Sequence, residues 1–144
     1  MANVFDCAEY ILSKLGQIST MKLQKLCYYA QAWSLAWTEQ PLFEERIEAW
    51  VNGPVCPPLF YAHKGRFKVG PGELNTGNAE NLTADQKDTV DRVLDHYGSW
   101  DPYELREQTH SEDPWRIARG GISDDASCSN EITQNSIGEY YGNL

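Results

Sequence analysis

The six residues "HSEDPW", at 110–115, place an imidazole, a hydroxyl and two carboxylates beside a proline and an indole. Histidine is the side chain best suited to move protons near neutral pH, so His110 with Glu112 is a candidate acid–base pair. Catalytic side chains are, however, usually brought together by the fold from separated positions. We therefore expect mainly a structural corner, with His110 buried and hydrogen-bonded to the backbone and Asp113 capping a helix that begins at Pro114. An interaction surface is the second interpretation.

Cysteine chemistry is another candidate function. The four cysteines, at positions 7, 27, 56 and 128, are spaced too widely for a Cys-x-x-Cys metal knuckle. Cys27 or Cys56 would need a nearby histidine or helix N-terminus to act as a nucleophile. We expect buried, apolar cysteines without disulfides, and neither a metal nor another cofactor.

Two groups of side chains could bind a partner. A local basic cluster could hold a phosphate or an acidic partner, although three cations around a turn are more often simply solvated. An aromatic series could stack bases or form a ligand cage, but its helical spacing without interleaved cations favours a hydrophobic core with some rings exposed at an interface. The basic cluster is His63, Lys64, Arg66 and Lys68, and the aromatic series is Tyr28, Tyr29, Trp33, Trp37 and Trp50.

The charge distribution favours a protein partner. The net charge is −9, and residues 71–144 carry five Lys or Arg against fifteen Asp or Glu. Such a half would repel nucleic acid, whose binding depends on cationic side chains, and would attract a basic protein. The chain shows neither an export signal nor a run of apolar residues that could cross a membrane, so we expect a cytoplasmic protein.

The elements that must position these side chains are mainly helical. Capping residues followed by apolar residues at helical spacing predict several helices, and apolar residues cover most of the second one, which should be central. The predicted helices run from Asn3 to Lys14, Thr20 to Trp37, Pro58 to Gly65, Thr83 to Gly98, Asp101 onward, Pro114 to Gly120 and Ser129 to the end. Strands at 46–53 and 66–69 predict a small β-ribbon near residues 46–69. We expect a mainly α, single compact multi-helix domain of residues 1–144.

Several stretches together resemble one known family. They are "LQKLCYYAQAWSLAW" at 23–37, "PLFEERIEAWVNGPVCPPLF" at 41–60, "LREQTHSEDPWRIAR" at 105–119 and "YY" at 140–141. The chain is similar over its whole length to the SocA-like, or Panacea, antitoxin domain, known also from phage-associated, GepA-type proteins. The family's recurrent residues, which determine the fold or bind the partner, correspond here to Trp33, Gly53, Pro54, Val55, Pro57, His110, Pro114, Trp115 and Arg116.

This resemblance implies a function without chemistry. It implies an antitoxin of a bacterial or phage type II toxin–antitoxin system. Such an antitoxin neutralises a cognate toxin, one that inhibits translation or growth, by direct protein–protein binding. An alternative is a proteolytic adaptor that delivers the toxin to a cellular protease. We expect no enzyme, and an enzyme that uses His110 is the remaining alternative.

Overall fold

The computed structural model describes residues 2–74 and 76–144. Among these residues the chain forms seven α-helices, one 3-10 helix and five short strands. The helices are α1 (Val4–Leu15), α2 (Thr20–Thr38), α3 (Pro57–His63), α4 (Ala84–Tyr97), α5 (Pro102–His110), α6 (Asp113–Arg119) and α7 (Gln134–Gly142), with the 3-10 helix at Ala79–Asn81. The strands are β1 (Ile18–Ser19), β2 (Ile47–Trp50), β3 (Gly53–Val55), β4 (Lys68–Val69) and β5 (Glu131–Ile132). The predicted mainly helical domain with a small β-ribbon is confirmed.

Helix α2 is the centre of the fold. Ser19 Oγ accepts a hydrogen bond from the Lys22 N–H at 3.1 Å, which begins the helix, and Glu39 ends it with a positive φ of 58°. Helices α1, α4, α5 and α7 pack against it. Its buried residues therefore lie on most sides, as expected for a helix whose apolar residues cover most of its circumference. In the part of the chain that the structure describes, no helix is both long and apolar enough to span a bilayer.

The strands form two small antiparallel sheets. Strand β2 pairs with β3 in a tight hairpin, in which Trp50 lies opposite Gly53, and with β5 on its other side. The strand predicted at 66–69 pairs, as β4, with β1 rather than with β2. The helix predicted from Ser129 begins only at Gln134, because residues 131–132 complete the edge of β2 and Thr133 then caps α7.

Local capping fixes most of the other helix starts. The Thr83 and Gln86 side chains form the predicted capping box of α4, and Asp101 with Glu104 forms another at α5. One continuous core joins these helices to α1 and to the sheet around β2. The resulting arrangement places the hairpin beside the N-terminal half of α2, and α6 beside β2 and α7.

Candidate functional site

The carboxyl group of Glu112 is the centre of a buried tyrosine network. The Tyr29 and Tyr141 hydroxyls donate hydrogen bonds to its Oε1 at 2.8 and 2.7 Å, and Gln108 Nε2 donates to Oε2 at 3.0 Å. The Tyr28 and Tyr141 hydroxyl oxygens are 3.1 Å apart, and Tyr28 must be the donor because the Tyr141 proton is directed at Glu112. Burial raises the pKa of all three tyrosines, which keeps them neutral. The network ties α2 and α7 to the start of α6.

His110 takes no part in that network. Its ring stacks on the Trp115 indole, with centroids 3.8 Å apart and planes at 10°. The expected hydrogen bond to the backbone is not formed by Nε2, which is buried and has no partner among the described residues. Burial, reinforced by the charge of Arg106, lowers the pKa of His110 to about 4, so the ring is neutral at neutral pH. The structure therefore does not bring His110 and Glu112 together as an acid–base pair.

The first turn of α6 differs from the prediction. Asp113 does not cap this helix, because Glu112 is the residue before the first turn and Asp113 and Pro114 are its first two residues. No side chain caps the helix, since the Glu112 carboxyl is committed to the tyrosines. The Trp115 indole N–H donates to Trp50 O at 2.8 Å, and Arg116 donates to His110 O at 3.3 Å. The "HSEDPW" segment thus docks α6 onto the end of β2.

The β2–β3 hairpin depends on a close approach of Lys25 to Gly53. Gly53 has a φ of +110°, and a Cβ atom there would lie 2.6 Å from Lys25 Cε and 2.9 Å from Thr109 Oγ1. Only glycine fits this position without strain. Lys25 Nζ donates to Pro54 O at 3.3 Å, and burial lowers the pKa of this amine to about 7. The buried lysine therefore supports the hairpin through this hydrogen bond and its close approach to Gly53.

An open cavity of about 550 Å³ lies beside the hairpin, and we call it the hairpin cavity. Apolar walls alternate with polar groups, and none of its described lining residues is an aspartate or glutamate. Val55 contributes one wall, and α3 begins two residues later, at Pro57. Its lining residues are Thr20, Met21, Gln24, Lys25, Trp50, Val51, Asn52, Val55, Phe60, His63, Ser127, Cys128 and Ser129.

A second concave surface, the aromatic groove, lies between α2 and α4. It has a volume of about 300 Å³ and is lined by Trp33, Trp37, Arg92, Val93, His96 and Tyr97. The two indoles stack with centroids 5.2 Å apart, and the Trp33 N–H donates to Tyr97 Oη at 3.3 Å. The guanidinium of Arg92 lies 5.8 Å from the Trp37 ring. The predicted aromatic core is confirmed for Tyr28 and Tyr29, whereas Trp37 is 48% exposed and is a surface residue.

The predicted burial of the cysteines is confirmed for three of the four, whereas Cys128 is partly exposed. Cys7, Cys27 and Cys56 are buried and all four cysteines are free thiols. Burial raises the pKa of Cys56 to about 12, and a hydrogen bond with Cys7 together with burial raises the pKa of Cys27. High thiol pKa values disfavour the nucleophilic thiolate. Across residues 2–74 and 76–144, no group of three or more His, Cys, Asp or Glu side chains is placed to hold a metal ion.

The fold and its two concave surfaces define a small helical domain built around one central helix. The family model of the antitoxin SocA-like, Panacea domain matches residues 23–116. The chain therefore belongs to the SocA-like Panacea antitoxin family, which gives it an antitoxin role in general terms. No curated protein and no solved structure matches the chain. Helices α1 and α7 lie outside the matched segment, yet both pack against α2 within it.

Sequence reasoning missed the features that depend on distant partners. The pairing of Glu112 with tyrosines from α2 and α7 has no local signal. Lys25 and Gln31 are polar residues of α2, yet each is only 1% exposed. The available signal was the apolar circumference of α2, because a helix packed on all sides must also bury the polar residues it carries.

Proposed function

We propose that this protein is the antitoxin of a bacterial or phage type II toxin–antitoxin system and neutralises its toxin by direct protein–protein binding. The proposal takes residues 1–144 as one antitoxin domain, because α1 and α7 share the core with the matched segment. It places the protein in the cytoplasm beside newly made toxin. The protein acts by covering a surface, so no catalytic residue is assigned.

The observation that carries this proposal is the aromatic groove with its acidic surroundings. Tryptophan dominates binding energy at protein interfaces, and Trp37 is half exposed on a rigid helix. Asp88 and Asp95 are exposed on α4, on either side of the groove residue Arg92, and Glu39 follows Trp37 at the end of α2. The fit is to a toxin surface that presents an apolar side chain flanked by lysines or arginines.

Coexpression with the toxic product of the neighbouring reading frame tests the proposal. The wild-type chain should restore growth, and Trp37→Ala should lose rescue while keeping its thermal midpoint, because this ring is half in solvent. Tyr103→Ala removes another exposed ring, 65% exposed on α5, and should rescue like wild type. The absence of a toxic neighbour, or full rescue by Trp37→Ala, would refute this assignment.

Charge reversal separates the acidic surroundings from the rings. Asp88→Lys with Asp95→Lys should weaken toxin binding by at least about tenfold at low salt, since rim charges act mainly on association. Asp124→Lys with Asp125→Lys makes the same change of charge in an exposed loop and should leave binding within about twofold. Equal weakening by both pairs would mean that overall charge, and not this surface, is recognised.

The two alternatives give different results in the same cells. If the protein delivers the toxin to a protease, toxin abundance should fall on coexpression and recover when the protease is deleted. If His110 performs chemistry, His110→Asn should abolish rescue without changing thermal stability. Direct neutralisation instead predicts constant toxin abundance, together with His110→Asn variants that lose rescue only in proportion to lost stability.

A further inference from the structure

The segment that carries α3 and β4 is a basic, aromatic surface on an acidic protein. Residues 49–72 contain no aspartate or glutamate, although the whole chain has a net charge of −9. Tyr61 is 69% exposed and Phe67 is 77% exposed, and the cations between and beside them also face solvent. We call this surface the basic rim, and it consists of Tyr61, Lys64, Arg66, Phe67 and Lys68.

The basic rim is continuous with the mouth of the hairpin cavity. Thr20, which lines the cavity, donates its backbone N–H to Phe67 O at 2.9 Å and its hydroxyl to Arg66 O at 3.1 Å. Phe60 lines the cavity as well, and its ring lies edge-on to Tyr61 with centroids 5.7 Å apart. An exposed aromatic surface therefore leads directly into a concave, largely apolar space.

The far side of the cavity mouth is also cationic. Arg106 Nε donates to Asn52 Oδ1, a lining residue, at 3.2 Å, and Arg46 lies 3.5 Å from Ser129 O, another lining residue. Lys25 also lines the cavity, and among the described residues its amine donates a hydrogen bond only to Pro54 O. Cationic side chains thus lie on two sides of the cavity. Arg46 is paired with Glu48, which also accepts a hydrogen bond from the Trp50 indole, but no described lining residue is itself an aspartate or glutamate.

We propose that the hairpin cavity and basic rim bind an acidic polypeptide segment that carries an aromatic or aliphatic anchor side chain. The anchor enters the cavity against the Trp50 and Phe60 rings, which contact each other edge-on with centroids 4.9 Å apart, and carboxylates on either side of the anchor face Lys64 and Lys68. A volume of about 550 Å³ is within the usual range of ligand pockets and accommodates one large side chain with its neighbours. This site is separate from the aromatic groove proposed to bind the toxin. The two share no lining residue and lie roughly 20 Å apart along α2.

A polypeptide fits this surface better than a nucleic acid does. Nucleic-acid affinity comes from many cations that follow a phosphate backbone, and the rest of this chain is strongly acidic. Three of the cations are already paired with carboxylates, since Arg46 lies 2.9 Å from Glu48, Arg66 lies 3.5 Å from Glu73 and Arg106 lies 2.6 Å from Glu107. The few unpaired cations around one open, largely apolar cavity match a few carboxylates around one anchor side chain.

Peptide titration of the isolated full-length protein tests this inference. The probe is an acetylated, amidated pentapeptide of sequence Asp-Glu-Phe-Glu-Asp. Its binding is followed by the chemical-shift changes of the protein's backbone amides and tryptophan indoles in nitrogen-15 spectra. Shifts should map to Thr20, Asn52, Phe67 and the Trp50 indole. Two comparison peptides, Asn-Gln-Phe-Gln-Asn and Asp-Glu-Ala-Glu-Asp, lack the charges and the anchor and should each bind at least about tenfold more weakly.

Protein variants divide the site into its rim and its cavity. Lys64→Glu with Lys68→Glu should weaken binding of the acidic probe by at least about tenfold. Lys14→Glu with Lys87→Glu, on α1 and α4, should change the affinity for the probe by less than about twofold. Ser127→Trp narrows the cavity mouth and should abolish binding. Ser99→Trp adds the same ring at another exposed position and should bind normally, with both variants keeping the wild-type thermal midpoint.

Several results would overturn the proposal. Equal affinity for the acidic and neutral peptides, shifts centred on the aromatic groove, or no shifts at millimolar probe would each do so. Tighter binding of a ten-nucleotide single strand at the same amides would assign the surface to nucleic acid instead. Equal binding of free 3-phenylpropionate would assign the cavity to a small carboxylate. Because no toxin is present, these outcomes are independent of the proposed antitoxin activity.

Discussion

Lys25 should make the stability of the fold depend on pH around and above neutrality. The residue is 1% exposed, and burial, with a contribution from the Arg106 charge, lowers its pKa to about 7. In the unfolded chain a lysine titrates near about 10.4. Between these two values the unfolded chain binds more protons than the folded protein, so the free energy of unfolding rises with pH. The buried charge of Lys25 destabilises the fold. This destabilisation is fully present below the pKa of Lys25 in the folded protein and disappears as the pH rises toward the pKa of the unfolded chain.

The size of this effect follows from the two pKa values. Between about pH 6 and about pH 8.5 the folded protein should gain about 2 kcal/mol from Lys25 alone. Urea unfolding across this range measures the gain, provided that the m-value is constant. Lys25→Met keeps the length and apolar stem of the side chain but removes the amine, so its stability should lack this rise. Lys14→Met is the matched control, because Lys14 is exposed on α1, and it should retain the rise.

The comparison isolates one amine, since other titrating groups are common to all three proteins. Above about pH 8.5 the unfolded cysteines ionise, and the raised pKa of Cys56 then opposes the lysine effect. A wild-type protein and a Lys25→Met variant with the same pH dependence would refute the reasoning. So would a loss of the rise in Lys14→Met, because it would place the responsible charge at the surface.

Three further substitutions test the packing around α2. Glu112→Gln replaces the shared acceptor of two tyrosine hydroxyls and should cost roughly 1–3 kcal/mol of unfolding free energy, measured with urea. Gly53→Ala should cost about 2 kcal/mol, because its φ is unfavourable for alanine and its Cβ would press on Lys25; an unchanged thermal midpoint would mean that the hairpin relaxes freely. Trp33→Ala should cost about 3 kcal/mol, since the ring packs on the core and donates to Tyr97, and an unchanged urea midpoint would show a ring that contributes nothing to folding.

Local sequence signals were sufficient for most of the helices. A capping box such as Thr83 with Gln86 acts within one helical turn. Residues that are close in sequence are therefore also close in the structure, and the pattern can be recognised from the sequence. The central position of α2 was also predictable, since an apolar circumference requires neighbours on most sides. The segment at 129–132 was misassigned because its conformation is set by pairing with β2, more than 80 residues earlier in the chain.

The chemistry-bearing residues were recognised by type, but their roles were decided by distant contacts. His110 and Glu112 are neighbours in sequence, yet one stacks on Trp115 and the other accepts hydrogen bonds from α2 and α7. The sequence alone determined the family motifs, the caps of α1, α2, α4 and α5, and the uneven charge. Only the tertiary structure decided that Lys25 is buried, that Trp37 is exposed and where the two concave surfaces lie. Capping is a short-range interaction, whereas burial depends on which remote segments cover a side chain.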